Sequence, residues 1–149
     1  FSLYGERVGA LSVLCESKEE ADRVLSQLKL VIRTNYSNPQ IHGGTVVATV
    51  LNTPALRAQW EEELTEMRVR IKAMRQKLVD GLKAAGVTQD MSFITTQIGM
   101  FSYSGLTKDQ MVRLRSEFGI YGTDTGRMCV AALNSKNIDY VCAAIAKVV

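Results

Sequence analysis

The feature that most constrains the fold is a long run of apolar residues at helical spacing in the middle of the 149-residue chain. Thr53 and Pro54 open it with an N-cap residue and a proline at the first helical position, and Gly86 is placed to end it in the left-handed conformation. A helix of about 30 residues spans on the order of 45 Å, which is longer than a compact domain of this size needs. We therefore predict a helix that bridges two bodies. Its apolar positions are Leu56, Trp60, Leu64, Met67, Ile71, Met74, Leu78 and Leu82.

An apolar run near the start of the chain predicts a buried strand. Residues 8–15 (VGALSVLC) are nearly all apolar, and their length and β-branched content fit a strand covered on both faces. No comparable run follows until Phe93. We therefore expect the partner strands of residues 8–15 to lie upstream of Phe1.

Two helices are predicted between this strand and the long helix. Ser17 and Glu20 form a capping box, in which Glu20 is expected to reach back to the N-cap N–H. The helix they open should end before residues 35–39 (NYSNP), since Pro39 disfavours the helical conformation in the residue before it. Residues 45–52 (TVVATVLN) predict a second short helix. The apolar face of the first helix consists of Ala21, Val24, Leu25, Leu28 and Ile32.

After the long helix the pattern changes to strands that alternate with helices. Thr107 and Gln110 form a second capping box, Gly119 is placed to end the helix that follows, and Asn134 is the predicted cap of a final helix. This alternation predicts an α+β or α/β unit. Strands are predicted over residues 93–98, 100–103, 120–122 and 127–132.

Composition excludes several classes of protein. The net charge of +3 is too small to indicate nucleic-acid binding, and no run of about 18 apolar residues predicts a membrane span. No basic segment followed by an apolar stretch opens the chain, so we expect no secretory signal. The three unevenly spaced cysteines make a disulfide framework improbable and indicate a reducing compartment, which predicts a cytoplasmic protein.

The common catalytic constellations are missing. His42, the only histidine, lies in a predicted loop beside two glycines, so the sequence offers no candidate serine–histidine–aspartate set, and it contains no glycine-rich phosphate loop. Cys15, Cys129 and Cys142 lack metal-ligand spacing, which predicts no metal site, and their apolar neighbours predict buried hydrophobic roles.

Three arginines stand beside turns and are candidates for anion binding. Arg7 precedes the first predicted strand, Arg33 lies at the end of a helix, and Arg127 follows Gly126 at the start of a strand. A guanidinium is planar, permanently charged and able to bind a carboxylate or phosphate through two parallel hydrogen bonds. An ordinary surface or salt-bridged role is the alternative for each, and the residue pattern alone leaves both open.

Four segments together resemble the class I aspartate and aromatic amino-acid aminotransferases, which are fold-type I enzymes. They are FSLYGERVG (1–9), IRTNYSNP (32–39), GMFSYSGL (99–106) and GRMCVA (126–131), and they follow the order and separations of that family over nearly the whole chain. The first and last segments are more similar to the bacterial aromatic (tyrosine) branch than to the aspartate-restricted branch.

The resemblance implies a role for each arginine. Arg7 matches the residue that pairs with the phosphate of pyridoxal 5′-phosphate, and Arg127 matches the one that holds the substrate α-carboxylate. Arg33 matches the arginine that reaches across the dimer interface to the distal carboxylate of a dicarboxylic substrate. Phe101 matches an aromatic residue near the substrate carboxylate. The family's catalytic lysine is expected just upstream of Phe1, so no catalytic residue is assigned within the chain.

The resemblance also implies an architecture, the C-terminal part of a fold-type I α/β enzyme. Residues 1–53 would complete the large cofactor-binding domain, residues 54–86 would form the bridging helix, and residues 87–149 would form a small α+β domain. It further implies a homodimer with shared active sites, in which the small domain closes on the substrate.

The reaction implied is amino transfer between an aromatic or dicarboxylic L-amino acid and 2-oxoglutarate. Three alternatives stay open: an aspartate aminotransferase of narrow specificity, a lyase or decarboxylase on the same scaffold, and a non-catalytic α+β module that binds a partner through the long helix. Arg33 favours transamination over the lyase or decarboxylase reaction, because it offers a site for a second carboxylate.

Overall fold

The computed structural model describes residues 1–149 and divides into two units, Phe1–Glu61 and Glu62–Val149. The boundary between the units falls inside the long helix, whereas the division at residues 53 and 86 stays a prediction. The α-helices are α1 (Lys18–Asn35), α2 (His42–Asn52), α3 (Pro54–Ala84), α4 (Phe93–Thr96), α5 (Lys108–Phe118) and α6 (Ile138–Val148). Two strands, β1 (Phe101–Tyr103) and β2 (Arg127–Cys129), and two short 3-10 helices, Tyr4–Glu6 and Val130–Ala132, complete the fold.

The predicted long helix is confirmed as α3, with 31 residues. It begins at Pro54 and ends before Gly86, whose φ of 89° is left-handed as predicted. The N–H of Val87 donates to the carbonyl of Leu82 at 3.0 Å, and that of Gly86 donates to Lys83 at 3.1 Å. These two bonds satisfy carbonyls of the last turn and form the Schellman arrangement that stops a helix.

The strand predicted over residues 8–15 is wrong. These residues have no regular secondary structure, and Leu14 is fully exposed. A strand is stable only when neighbouring backbone groups pair with it, and the sheet of this structure contains only β1 and β2. The 149 residues contain none of the partner strands that the prediction places upstream of Phe1, and residues 8–15 pair with no other strand.

The helices α1 and α2 are confirmed, with changes at their N-termini. The Ser17 hydroxyl accepts a hydrogen bond from the N–H of Glu20 at 3.2 Å, as predicted. The Glu20 carboxylate accepts from the N–H of Glu16 at 2.8 Å instead of the N-cap N–H. Helix α1 contains no buried residue, and α2 begins at His42, earlier than the prediction placed it.

The second unit contains a closed hydrophobic core. The C-terminal half of α3 packs there with residues of α4, α5 and α6, and Leu78 and Leu82 are 0% exposed. Truncation of such a leucine to alanine costs about 2–5 kcal/mol. The core residues are Met74, Leu78, Leu82, Met91, Ile94, Leu106, Met111, Leu114, Val130, Leu133, Ile138, Val141, Cys142, Ala144, Ile145 and Val148.

The sheet consists of a single antiparallel pair. In β1 and β2, Phe101 faces Cys129, Ser102 faces Met128 and Tyr103 faces Arg127. The strand predicted over 100–103 is therefore confirmed apart from its first residue, and the one predicted over 127–132 lasts three residues before a 3-10 helix replaces it.

Two further predicted strands are wrong because local hydrogen bonds favour other conformations. Residues 93–98 contain helix α4, in which the hydroxyls of Thr95 and Thr96 donate to the carbonyls of Ser92 and Phe93. Residues 120–122 form no strand, since the N–H of Ile120 donates to the carbonyl of Leu114 at the end of α5.

Capping residues explain where helix α5 of the second unit begins and ends. The capping box of Thr107 and Gln110 is complete, and Gly119 ends α5 with a φ of 63°. The cap predicted at Asn134 is wrong, because α6 begins at Ile138, after Asn137. The carbonyl of Asn134 accepts from the N–H groups of Asn137 and Ile138, so Asn134 closes the turn that precedes the helix. No helix of the structure combines the length and apolarity needed to cross a bilayer.

The three cysteines are free thiols. Cys142 is buried as predicted, and burial raises the pKa of its thiol. Cys15 and Cys129 are only half-buried, so the prediction that all three are core residues holds for Cys142 alone.

Candidate functional site

Arg127 and Phe101 form the centre of the candidate site. The guanidinium carbon of Arg127 lies 5.0 Å from the centroid of the Phe101 ring. Both side chains are exposed, and Arg127 forms no salt bridge with any carboxylate of the chain. A guanidinium that is supported on one face by an aromatic ring and has no acidic partner can accept a carboxylate along its N–H edge.

The residue before Arg127 must be glycine. Gly126 has a φ of 82°, and a Cβ at this position would lie 2.7 Å from the carbonyl oxygen of Leu106. The carbonyl of Gly126 accepts hydrogen bonds from the N–H and hydroxyl of Ser104, at 2.9 and 2.8 Å. This close approach of two backbone segments sets where β2, and therefore Arg127, begins.

A buried arginine of α3 holds the backbone beside Phe101. Arg75 is 2% exposed, and its guanidinium donates to the carbonyls of Phe101 and Gly99, each at 2.8 Å, and of Ile94 at 2.9 Å. A fourth bond, of 2.8 Å, goes to the hydroxyl of Ser102. Burial lowers the pKa of the Arg75 guanidinium from its ordinary value.

Sequence reasoning missed Arg75, although a signal was present. Arg75 lies four residues after Ile71 and three before Leu78, so helical periodicity places it on the apolar face of α3. A charged residue on an apolar face needs hydrogen-bond partners in the interior. This pattern could have marked Arg75 as a structural or functional anchor.

The side-chain amide of Gln97 holds the edge of β1 that does not pair with β2. The Gln97 carbonyl oxygen accepts from the Ser102 hydroxyl at 2.5 Å and from the N–H of Tyr103 at 2.9 Å, and the Gln97 amide donates to the carbonyl of Tyr103 at 3.2 Å. Gln97 thus pairs with Tyr103 as a neighbouring strand would. Ser102 connects this contact to Arg75.

Arg7 lies in the first unit, at the end of the 3-10 helix Tyr4–Glu6. It adopts the left-handed conformation with a φ of 53°, and its guanidinium donates to the carbonyl of Tyr4 at 3.3 Å. The turn packs tightly on α2, since a Cβ at Gly43 would lie 2.4 Å from Val8 and 2.6 Å from Glu6. Arg7 is exposed and has no carboxylate partner, so it can bind an anion.

Arg33 is exposed in the last turn of α1. The chain turns immediately after it: the N–H groups of Tyr36 and Ser37 both donate to the carbonyl of Ile32, and Ser37 is left-handed with a φ of 67°. The structure therefore brings Arg127 and Phe101 into direct contact in the second unit and places Arg7 and Arg33 on two separate elements of the first.

Comparison with known proteins places the chain in a family. Residues 1–145 match the family of class I and II aminotransferases, and the chain is a member of it. It is 62% identical over 148 residues to an aspartate aminotransferase of Pseudomonas aeruginosa and 54% identical over 148 residues to the aromatic-amino-acid aminotransferase of Escherichia coli. In each case the match covers 99% of this chain and 37% of the relative.

A solved structure gives the same result for the fold. The aromatic-amino-acid aminotransferase of Burkholderia pseudomallei, whose structure holds covalently bound pyridoxal phosphate, has a TM-score of 0.90 and 67% identity. The match covers 99% of this chain and 37% of that one. The predicted family and the predicted α/β, fold-type I class are confirmed.

Proposed function

We propose that the complete protein transfers an amino group between an aromatic or dicarboxylic L-amino acid and 2-oxoglutarate, with pyridoxal 5′-phosphate as cofactor. The observation that carries this proposal is the unpaired Arg127 guanidinium stacked on Phe101. The relatives named aspartate and aromatic-amino-acid aminotransferase support it, although the chain spans only 37% of their length.

In this proposal Arg127 binds the α-carboxylate of every substrate. A bidentate contact with a planar guanidinium fixes the carboxylate in orientation as well as position. Orientation matters because the bond to be broken at Cα must stand perpendicular to the cofactor ring. Phe101 limits the movement of the guanidinium from one side and excludes water from that face.

Arg7 is proposed to hold the cofactor's phosphate. Its exposed guanidinium has no acidic partner, and its planar set of N–H donors suits a phosphate anchor. When bound, pyridoxal phosphate would supply an electron sink for the negative charge that develops at Cα. The covalently bound pyridoxal phosphate in the structure of the Burkholderia pseudomallei relative supports this choice of cofactor.

Arg33 is proposed to bind the distal carboxylate of a dicarboxylic substrate in the partner subunit of a homodimer with shared active sites. It is exposed and, like Arg127, has no carboxylate partner in the chain. A site of this kind would accept aspartate and glutamate, and the second carboxylate of 2-oxoglutarate.

The three free thiols support a reducing, cytoplasmic location.

Aspartate aminotransferase of narrow specificity is the second candidate, favoured by the 62% identity to the Pseudomonas aeruginosa relative. The test is amino transfer from aspartate, phenylalanine and tyrosine to 2-oxoglutarate by the complete protein. Transfer from all three supports the broad function, and transfer from aspartate alone supports the narrow one. A protein that keeps no absorbance near the visible edge after incubation with pyridoxal phosphate and removal of the free cofactor, and that transfers no amino group, would contradict both.

A further inference from the structure

We propose that Arg75 is a positioning residue for the substrate carboxylate. Its guanidinium fixes the backbone of β1 at Phe101, and the Phe101 ring in turn sets the place of the Arg127 guanidinium. This inference rests on the proposed function, because it assumes that Arg127 binds a carboxylate.

The hydrogen bonds of Arg75 are directed mainly at β1 and the turn before it. Three of its four acceptors, the carbonyls of Gly99 and Phe101 and the hydroxyl of Ser102, belong to β1 or to the turn that leads into it. The remaining acceptor is the carbonyl of Ile94 in α4. One guanidinium therefore ties β1, its turn and α4 to the rigid helix α3.

Strand β1 has few other contacts that hold it in place. The sheet has two strands of three residues each, and a ribbon of that size is marginally stable without further contacts. Pairing with β2 covers one edge of β1, and Gln97 covers part of the other through Tyr103. Of the contacts that reach the backbone of Phe101 itself, only the one from Arg75 comes from a long helix.

Arginine suits the acceptors around position 75 better than an apolar residue or a lysine does. All four acceptors of Arg75 are neutral, so no carboxylate compensates for burying its charge. An apolar residue would fill the same core position at lower cost, but it could not orient three carbonyls. The fork of a guanidinium reaches several acceptors in fixed directions, which the single ammonium of lysine cannot do.

The test compares variants of the complete protein. In Arg75→Lys, KM for every amino acid and for 2-oxoglutarate should rise about tenfold, whereas kcat should change less than threefold, as expected when a charge-assisted bond supporting ground-state binding is lost. The dissociation constant of succinate, a dicarboxylate that does not react, should rise by a similar factor in calorimetric titrations. Arg70→Lys is the matched control, because Arg70 also lies on α3 and donates to two carbonyls, those of Ala131 and Leu133.

The outcomes separate this inference from the proposed function. If the parent protein transaminates and Arg127→Leu loses carboxylate binding while Arg75→Lys keeps its KM and succinate affinity, the positioning role is wrong and the function stands. Equal changes in Arg75→Lys and Arg70→Lys would also overturn it, since they would indicate general loosening of the unit. If Arg75→Lys does not fold, the Ser102→Ala variant tests the inference instead. This substitution removes one acceptor of Arg75 and should raise KM about two- to fivefold. An unchanged KM overturns the inference.

Discussion

Arg127 faces Tyr103 across the antiparallel pair, yet its guanidinium lies over the ring of Phe101, two residues earlier in β1. The diagonal contact brings two side chains of adjacent strands together on one face of the sheet. It leaves the N–H edge of Arg127 without an acidic partner, while its flat face is covered. This is the arrangement on which the carboxylate-binding proposal depends.

Replacement of Arg127 by leucine in the complete protein should reduce kcat/KM for every amino-acid substrate. Loss of a bidentate charged contact costs about 2–5 kcal/mol of transition-state stabilisation. Steady-state kinetics with aspartate and tyrosine measures this decrease in kcat/KM. The control is Arg113→Leu, which removes an exposed arginine paired with Glu117 in the same unit; equal activity of the Arg127 and Arg113 variants would refute the role of Arg127.

Replacement of Arg33 by leucine should weaken aspartate and glutamate far more than phenylalanine and tyrosine, because only the first two carry a distal carboxylate. The measurement is the ratio of kcat/KM between the two substrate groups. Lys29→Leu, one turn earlier on the same exposed helix, is the control. A uniform loss across all four amino acids would count against a distal-carboxylate site.

Gly126→Ala should lower the melting temperature and raise KM for all substrates. Its left-handed φ costs any other residue about 1–2 kcal/mol, and the new Cβ would also press on the Leu106 carbonyl at 2.7 Å. Gly119→Ala carries the first effect alone, since Gly119 is also left-handed but has nothing within 4 Å of the new Cβ, so the difference between the two variants measures the second effect. Similar KM values in both variants would show that the close approach at Gly126 does not position Arg127.

Gly43→Ala should weaken the binding of pyridoxal phosphate, because a Cβ there would displace Glu6 and Val8 on either side of Arg7. Dissociation of the cofactor, followed by absorbance in the complete protein, measures the effect. Gly44→Ala is the control: it meets no atom within 4 Å and favours the helix by about 0.5–1 kcal/mol. Cofactor affinity that is the same in both variants would contradict a role for this contact in holding Arg7.

The parts of the fold that could be predicted from sequence are those that local chemistry determines. Helix α3 was predictable because a proline, a helical repeat and a terminal glycine all agree along Pro54–Ala84. Residues 93–98 were not, since their β-branched residues suggested a strand while Thr95 and Thr96 stabilise a helical turn through their hydroxyls. Residues 8–15 failed for another reason: strands depend on distant neighbours that an apolar pattern does not reveal.

The candidate site also has a part that could be predicted from the sequence and a part that could not. Arg7, Arg33 and Arg127 could be singled out from their positions beside turns and from family resemblance. The stacking of Arg127 on Phe101 and the contacts of Arg75 depend on how α3, β1 and β2 meet in three dimensions. Pairings of this kind are set by tertiary packing, which one sequence does not specify residue by residue.

The uneven distribution of buried side chains has a kinetic consequence. Helix α1 buries no residue, whereas α6 buries six of its eleven. Amide protons in cooperative, densely packed regions exchange with solvent only through large unfolding events, while those in sparsely packed helices exchange through local opening. Deuterium should therefore enter α1 early and α6 late, and the segment from Leu78 to Leu82, at the centre of the buried cluster, should be among the last to exchange.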